Sequence, residues 1–258
     1  VDLVSDSYKI DDEITSESSF GPSAIKNESW NNVNSIITNS MRFNMQWYRK
    51  YNIYKNEDFI SGTDTIKCRK FGFQGYAFAY DSFYTIVELP YNDSNYSMFV
   101  VYTPFTDLRH YNTINDIIAQ GGLTKCIENM QICYLDFKMP IFELKSALPF
   151  SAIEENDTIV DGLMFYSNLS NVIFELDDIY QVCSINVTEA GTSVKSFVHN
   201  DNVLNPDDCS NLGSVTVPPK PGRPLEVNVD KPFWFFIRNN ELGCILYCGY
   251  VKTINNQY

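Results

Sequence analysis

Histidine is the scarcest catalytic residue in this chain: 258 residues hold only two, His110 and His199. Acyl-transfer triads and zinc hydrolase sites generally need at least one well-placed imidazole, so hydrolytic chemistry would have to run through one of these positions. Basic residues are also few, 19 against 32 acidic ones, which leaves a net charge of −13 and a pI near 4.5. That sign is wrong for phosphate backbones and for anionic membranes, and it excludes a nucleic-acid function. No apolar run approaches the length of about eighteen residues that a membrane-spanning helix needs. The longest, residues 232–237 and 244–251, have the length of strands, and no membrane span is expected. The chain starts at Val1 without the basic, apolar, small-residue order of a signal peptide, and is expected to be a processed or trimmed chain. Global disorder is excluded by a composition that is 44% hydrophobic and 15% aromatic.

The seven cysteines are too sparse for a disulfide scaffold, and their odd number leaves at least one unpaired or paired between chains. Cys126, Cys133 and His110 do not have the spacing of a zinc site, and no metal or cofactor is expected. Cys244 and Cys248, four apart in a strand, are expected on one face as small core residues, too far apart to bond each other. Six Asn-x-Ser/Thr sequons (Asn27, Asn92, Asn95, Asn156, Asn168, Asn186) exceed the about three or four that chance would give. They favour a secreted glycoprotein. Asn92 and Asn95, in a turn-rich stretch, are the expected glycan sites, whereas Asn186 alternates with Ile185 and Val187 in a strand.

Period-two and continuous apolar runs predict strands over residues 36–43, 70–80, 84–89, 96–102, 132–142, 179–187, 225–229, 233–237 and 245–251. Helical periodicity is clear over 106–120, where Leu108, Tyr111, Ile114, Ile117 and Ile118 share a face and Gly121-Gly122 supplies the stop. A shorter helix is predicted over 24–33. Residues 191–224 change character. They are polar and close on Pro218, Pro219, Pro221 and Pro224, which fix an extended backbone, so they read as one long exposed loop, either functional or disordered. No repeat or shift in composition marks a boundary, and residues 1–258 are expected to form a single domain.

Five blocks then point to a family. Asn39-Ser40-Met41-Arg42-Phe43, followed by Trp47 and Tyr51, resembles the serpin segment in which an Asn-Ala-Ile-Tyr-Phe strand leads to a Trp at the top of the large sheet. Glu88-Leu89-Pro90-Tyr91 and Tyr96-Ser97-Met98-Phe99-Val100-Val101 are similar to the family's Glu-Leu-Pro-Tyr strand and the apolar strand after it. Asp136-Phe137-Lys138-Met139-Pro140-Ile141-Phe142 is similar to its Leu-Pro-Lys-Phe strand, and Ile185-Asn186-Val187-Thr188-Glu189-Ala190-Gly191-Thr192 to its Glu-Glu-Gly-Thr hinge. The closing Lys231-Pro232-Phe233-Trp234-Phe235-Phe236-Ile237-Arg238 and Gly243-Cys244-Ile245-Leu246-Tyr247-Cys248-Gly249 resemble the family's most specific pair of strands. The blocks keep the family's order and cover residues 34–251.

The resemblance implies an α+β fold: a large sheet, a second barrel-like sheet, few helices, and a reactive-centre loop over 191–224. Residues 1–33 match poorly and are too short for the family's opening helices, so the chain is expected to be an N-terminally truncated member. In inhibitory serpins a protease cuts the loop, the hinge inserts as a new strand of the large sheet and the acyl-enzyme is distorted; the serpin itself is no enzyme. The implied hinge here is Glu189, Gly191, Thr192, Val194 and Ser196. Alternation would send Thr192, Val194, Ser196 and Val198 inward and Ser193, Lys195 and Phe197 outward.

Val194, Lys195 and Phe197 depart from the alanine-rich hinge of inhibitors, and the loop is longer than usual; both features argue against trapping. Leu204, Asn205 and Asp208 are the candidate scissile positions. Pro206 would block cleavage after Asn205 by most serine proteases. The loop's acidity, from Asp201, Asp207 and Asp208, suits a basic partner, and Cys209 is its candidate for a disulfide or exposed thiol. The expectation is therefore a secreted serpin-fold protein that binds a protein partner, a protease or an immune protein, through Leu204, Asn205, Asp207, Asp208 and Cys209. Its trapping ability would be reduced or lost and its role immune-modulating. The alternative is an active suicide inhibitor of a serine or cysteine protease.

Overall fold

Alternating aromatic and β-branched residues build a strand-dominated structure, seen here in a computed structural model that describes residues 43–81, 84–103, 122–149, 165–166, 173–174, 180–194, 220 and 222–254. In chain order the strands are β1 (Phe43–Gln46), β2 (Asn52–Ser61), β3 (Asp64–Asp81), β4 (Thr85–Pro90), β5 (Tyr96–Tyr102), β6 (Gln131–Pro140) and β7 (Phe142–Pro149). They continue as β8 (Phe165–Tyr166), β9 (Ile173–Phe174), β10 (Tyr180–Val187), β11 (Gly191–Val194), β12 (Leu225–Asn228), β13 (Phe233–Asn239) and β14 (Cys244–Val251). One helix among the described residues, α1 (Gly122–Glu128), sits between β5 and β6. An eight-stranded sheet runs β12-β6-β3-β4-β5-β13-β14 with β2 paired to β3; a four-stranded sheet runs β1-β11-β10-β7; β8 and β9 pair alone.

The chain falls into two compact units. The first contains, among its described residues, 43–44, those between 144 and 185, and Val194; the second holds 45–143, 186–193 and 220–254. In the second unit β13 buries every other side chain, Phe233, Phe235, Ile237 and Asn239, as a strand with one face in the core must. Its neighbour β5 is buried on both faces. Register explains this. Met98 and Val100 align with Leu89, Val87, Ile237 and Phe235 on one face, while Phe99 and Val101 face the other way with Ile86, Trp234 and Phe236. There Leu123 and Cys126 of α1 cover them, with Tyr84 against Cys126 at 3.4 Å. Each such buried aliphatic or aromatic side chain contributes about 1.5–3 kcal/mol of transfer free energy.

Several expectations are corrected. The helix that Gly121-Gly122 was expected to stop lies outside the described residues, but Gly122 itself takes φ +83° and opens a helix that was not expected, α1, whose Leu123 and Cys126 form the buried face. The single strand expected over 132–142 is two, because Pro140 cannot donate to a ladder and the Ile141 amide leaves to bond the Arg69 carbonyl at 3.0 Å. Strand β2 was not expected at all. Its Lys55, Asn56, Glu57 and Asp58 carry no apolar period, and a bulge with Asn56 at φ 59° interrupts its pairing with β3. Residues 191–194 belong to a strand, not to an exposed loop. Cys244 and Cys248 are neither core residues nor on one face. A bulge opposite Ile237 and Arg238 pairs Cys244 with Asn239 but Cys248 with Phe236, and both cysteines are exposed and free. The helices expected over 24–33 and 106–120, and most of the strand expected over 36–43, lie outside the described residues.

Strand β3 tolerates no side chain at Gly72, where a Cβ would run into the Phe137 carbonyl oxygen and the Lys138 Cα of β6. Gly72→Ala should therefore destabilise the protein by about 3 kcal/mol, the upper range for overpacking a rigid neighbour. Chemical denaturation checks this; a loss below about 1 kcal/mol would show that the β3–β6 pairing has slack.

Candidate functional site

The residues 188–192 turn back on themselves through local bonds. The Thr188 amide donates to the Gly191 carbonyl at 2.9 Å, and the Ala190 amide donates to Thr188 Oγ1 at 3.3 Å. The chain returns as β11 antiparallel to β10, with Asn186 opposite Ser193 and Val187 opposite Thr192. This places the hinge residues between β10 and β1. Glycine is required at 191 because a Cβ there would collide with the Met45 carbonyl oxygen and the Gln46 Cα. Backbone strand pairing thus starts at a residue that only glycine can supply.

An aromatic cluster forms the floor of this seat. Trp47 stacks on Tyr91 at 4.6 Å between centroids and 8° between planes. Tyr51 meets Trp47 edge-on at 5.8 Å, and Phe71 lies 5.9 Å from the Trp47 ring. Trp47 also fixes the turn: Nε1 donates to the Thr188 carbonyl at 2.7 Å, and its amide donates to the Ala190 carbonyl at 3.1 Å. The Tyr91 hydroxyl donates to Thr192 Oγ1 at 2.8 Å, in a place where Tyr91 is fully buried and Thr192 is 1% exposed. Burial pushes the Tyr91 phenol well above its ordinary range, and does the same to Tyr51, so both stay neutral at any pH the fold survives, Tyr91 as a donor and Tyr51 with its hydroxyl unpaired. At the solvent side, Arg69 Nη2 lies 3.8 Å from Glu189 Oε1. With both groups about a third exposed, this pair steers more than it stabilises.

The far root of the loop is tied down separately. Strand β12 pairs in parallel with β6 from Leu225 to Asn228, and Lys70 Nζ, fully buried, donates to Asn228 Oδ1 at 2.8 Å. Burial lowers the Lys70 pKa. Lys220 sets its ammonium 4.7 Å above the Tyr134 ring, an exposed cation–π contact.

Of the expected hinge, Glu189 and Gly191 are half-buried and Thr192 is buried, while Val194 continues β11. Ser196, Leu204, Asn205, Asp207, Asp208 and Cys209 lie outside the described residues. Asn92 and Asn95 are exposed on the turn between β4 and β5, held by the Asp93 amide on Asn92 Oδ1 and the Asn95 amide on Asp93 Oδ1, each at 3.0 Å. Trp47 and Phe235 are buried. Sequence reasoning missed Arg69, which stands out in no motif, and the pairing role of Tyr91, although Tyr91 ends the Glu-Leu-Pro-Tyr block.

Compared with known proteins, the chain matches the family model described as Serpin (serine protease inhibitor) over residues 23–254. It is 27% identical over 230 residues to an uncharacterized serpin-like protein of Methanosarcina acetivorans, covering 84% of this chain and 50% of that protein. It is 23% identical over 232 residues to plasminogen activator inhibitor 1 of Sus scrofa, covering 84% and 53%. The chain thus spans about half the length of the curated relatives it matches. Among solved structures, the serpin from Schistosoma mansoni aligns with a TM-score of 0.61 at 14% identity, covering 96% of this chain and 64% of that one. Thyroxine-binding globulin in complex with thyroxine aligns at 0.60 and 14%, covering 83% and 55%.

If the seat forms as described, Tyr91 and Thr192 are energetically coupled. In a double-mutant cycle of Tyr91→Phe and Thr192→Val, each single change should cost about 1–3 kcal/mol by leaving a buried polar partner, with a coupling of about 1 kcal/mol between them. A coupling of zero in urea denaturation would mean that the hinge is not seated.

Proposed function

Because the chain belongs to the serpin family, whose members are generally protease inhibitors and not catalysts, we propose that it acts by binding a protein partner through the segment joining β11 to β12, with its capacity to trap a protease reduced. The observation that carries this reading is the seated hinge, with Thr192 buried and bonded to Tyr91. A trap works with the free energy released when the hinge enters the sheet. Here the first pairs, Val187 with Thr192 and Asn186 with Ser193, are made before any cleavage. That share of the insertion energy cannot be used to distort a protease. What remains is a long connection from Lys195 to Pro224, rich in proline and aspartate, whose pre-extended Pro218-Pro219 piece lowers the entropy lost on binding. The partner is a protein that accepts an acidic loop, a protease or an immune protein.

A second reading, a working suicide inhibitor, is favoured by the same seat. The sheet accepts Gly191 to Val194 between β1 and β10, so further insertion has a track to follow. Cutting the chain between residues 195 and 219 separates the two. The first reading expects a nearly unchanged melting temperature and no protease adduct that survives denaturing electrophoresis. A large upward jump, or one stable adduct, would replace it with the second.

We also propose that the protein is a secreted glycoprotein with an immune-modulating role, with Asn92 as its favoured glycan site. Asn92 and Ser94 are both exposed, whereas the Asn95 sequon ends at Ser97, which is 1% exposed and donates to Glu88 Oε1 at 2.7 Å. Expression through a eukaryotic secretory route should add mass that N-glycosidase removes, and Asn92→Gln should abolish more of it than Asn95→Gln. Secreted protein without any glycan would count against the site and the compartment together.

A further inference from the structure

Asn186-Val187-Thr188 is a sequon that runs from β10 into the hinge turn, with Asn186 opposite Ser193 and Val187 opposite Thr192. Its place in a strand argues against a glycan only if the asparagine faces a core. Alternation decides this. Ile185 is 3% exposed and Val187 is fully buried, so the side chain between them is sent to the other face, and Asn186 is exposed. Directly opposed residues of an antiparallel pair share a face, with Cβ atoms about 5 Å apart. Whatever Asn186 bears therefore stands beside Ser193 of β11.

In the folded chain the sequon threonine is engaged. Thr188 Oγ1 donates to the Gly191 carbonyl at 3.3 Å and accepts from the Ala190 amide at 3.3 Å. Chain order removes this obstacle during synthesis, because Ala190, Gly191 and β11 all follow Thr188, and the turn that holds its hydroxyl closes only after they are made. The Asn95 sequon is placed the other way. Its Ser97 pairs back onto β4, which precedes it, and ends 1% exposed and bonded to Glu88, whereas Thr188 stays half-buried. The sequon at Asn186 thus meets both conditions for a glycan: the threonine is open before the turn forms, and the asparagine is outward after it.

We infer that Asn186 is a second N-glycosylation site and that its oligosaccharide stands on the solvent face of the β10–β11 pair, beside the hinge. The inference rests on the secretory reading proposed above. In the transfer, Asn186 Nδ2 bonds to the anomeric carbon of a lipid-linked oligosaccharide diphosphate, the anomeric C–O bond breaks, a proton leaves Nδ2 and the lipid diphosphate departs. The glycan and the buried bond occupy opposite faces of the same strands. Val187 and Thr192 face inward, where Thr192 meets Tyr91, and Asn186 and Ser193 face the other way. A glycan there leaves the seat intact.

The full chain, expressed through a eukaryotic secretory route, should be mapped by peptide mass before and after N-glycosidase, which turns a glycosylated asparagine into aspartate. Aspartate should appear at position 186 only after treatment, and Asn186→Gln should remove that share of the glycan mass. Because the position is exposed, the glycosylated chain and Asn186→Gln should melt within about 2 °C of each other. The coupling between Tyr91→Phe and Thr192→Val should be the same in both. An unmodified peptide at 186 overturns the inference. If Asn92 is modified in the same sample, the secretory reading survives that result; if no sequon is modified, that reading falls with it. A glycosylated chain that melts far below Asn186→Gln, or that loses the Tyr91 to Thr192 coupling, overturns the placement beside a seated hinge.

Discussion

The Tyr91 side chain joins the parts on which the site depends. Its ring stacks on Trp47 and its hydroxyl reaches Thr192. Around it the backbone bonds in both directions: the Tyr48 amide donates to the Pro90 carbonyl at 3.0 Å and the Asn92 amide donates to the Gln46 carbonyl at 2.9 Å. The end of β4 is thereby fastened to the segment just after β1. Tyr91 is fully buried, and its hydroxyl is satisfied inside the protein by Thr192 Oγ1. Seating Thr192 is thus tied to satisfying a core tyrosine, which turns a mobile element of the family into part of the packing.

In the function proposed above, that coupling would carry a cost. Strand insertion does mechanical work only if it happens after the protease is attached. On that proposal, the pairs already made between β10 and β11 would shorten the travel left for insertion. The Arg69 to Glu189 approach and the two bonds from Trp47 to the turn add to the hold, each of them modest in isolation. The opposite root is equally fixed, since β12 lies in the sheet and Lys70 is desolvated against Asn228.

The two sheets meet their needs differently. In the eight-stranded sheet β5 is covered on both faces, and its residues read as one continuous apolar run. β13 alternates, since one of its faces is only half covered. At β14 the alternation breaks at a bulge, and the strand presents Ile245 and Cys248 together to solvent. An edge of this kind is a property of the whole sheet, not of the eight residues that form it.

Much of this was determined by local sequence. The period-two runs located β4, β5, β10, β12, β13 and β14 to within a few residues, because burial on a pleated sheet imposes that period wherever it occurs. The order of the Trp47, Glu-Leu-Pro-Tyr, Ile185-to-Thr192 and closing blocks identified the family. Only the tertiary structure decided the rest. β2 is a strand because β3 lies beside it, despite a polar sequence that has no period of its own. Gly122 opens a helix because its positive φ redirects the chain over a core that local sequence does not reveal. Cys244 and Cys248 lie on opposite faces because one bulged residue reverses the pleat, an event set by the partner strand. Thr192 meets Tyr91, 101 residues away in the chain, through a buried hydrogen bond. Such choices depend on which side chains meet across space, and spacing along one chain carries no record of that.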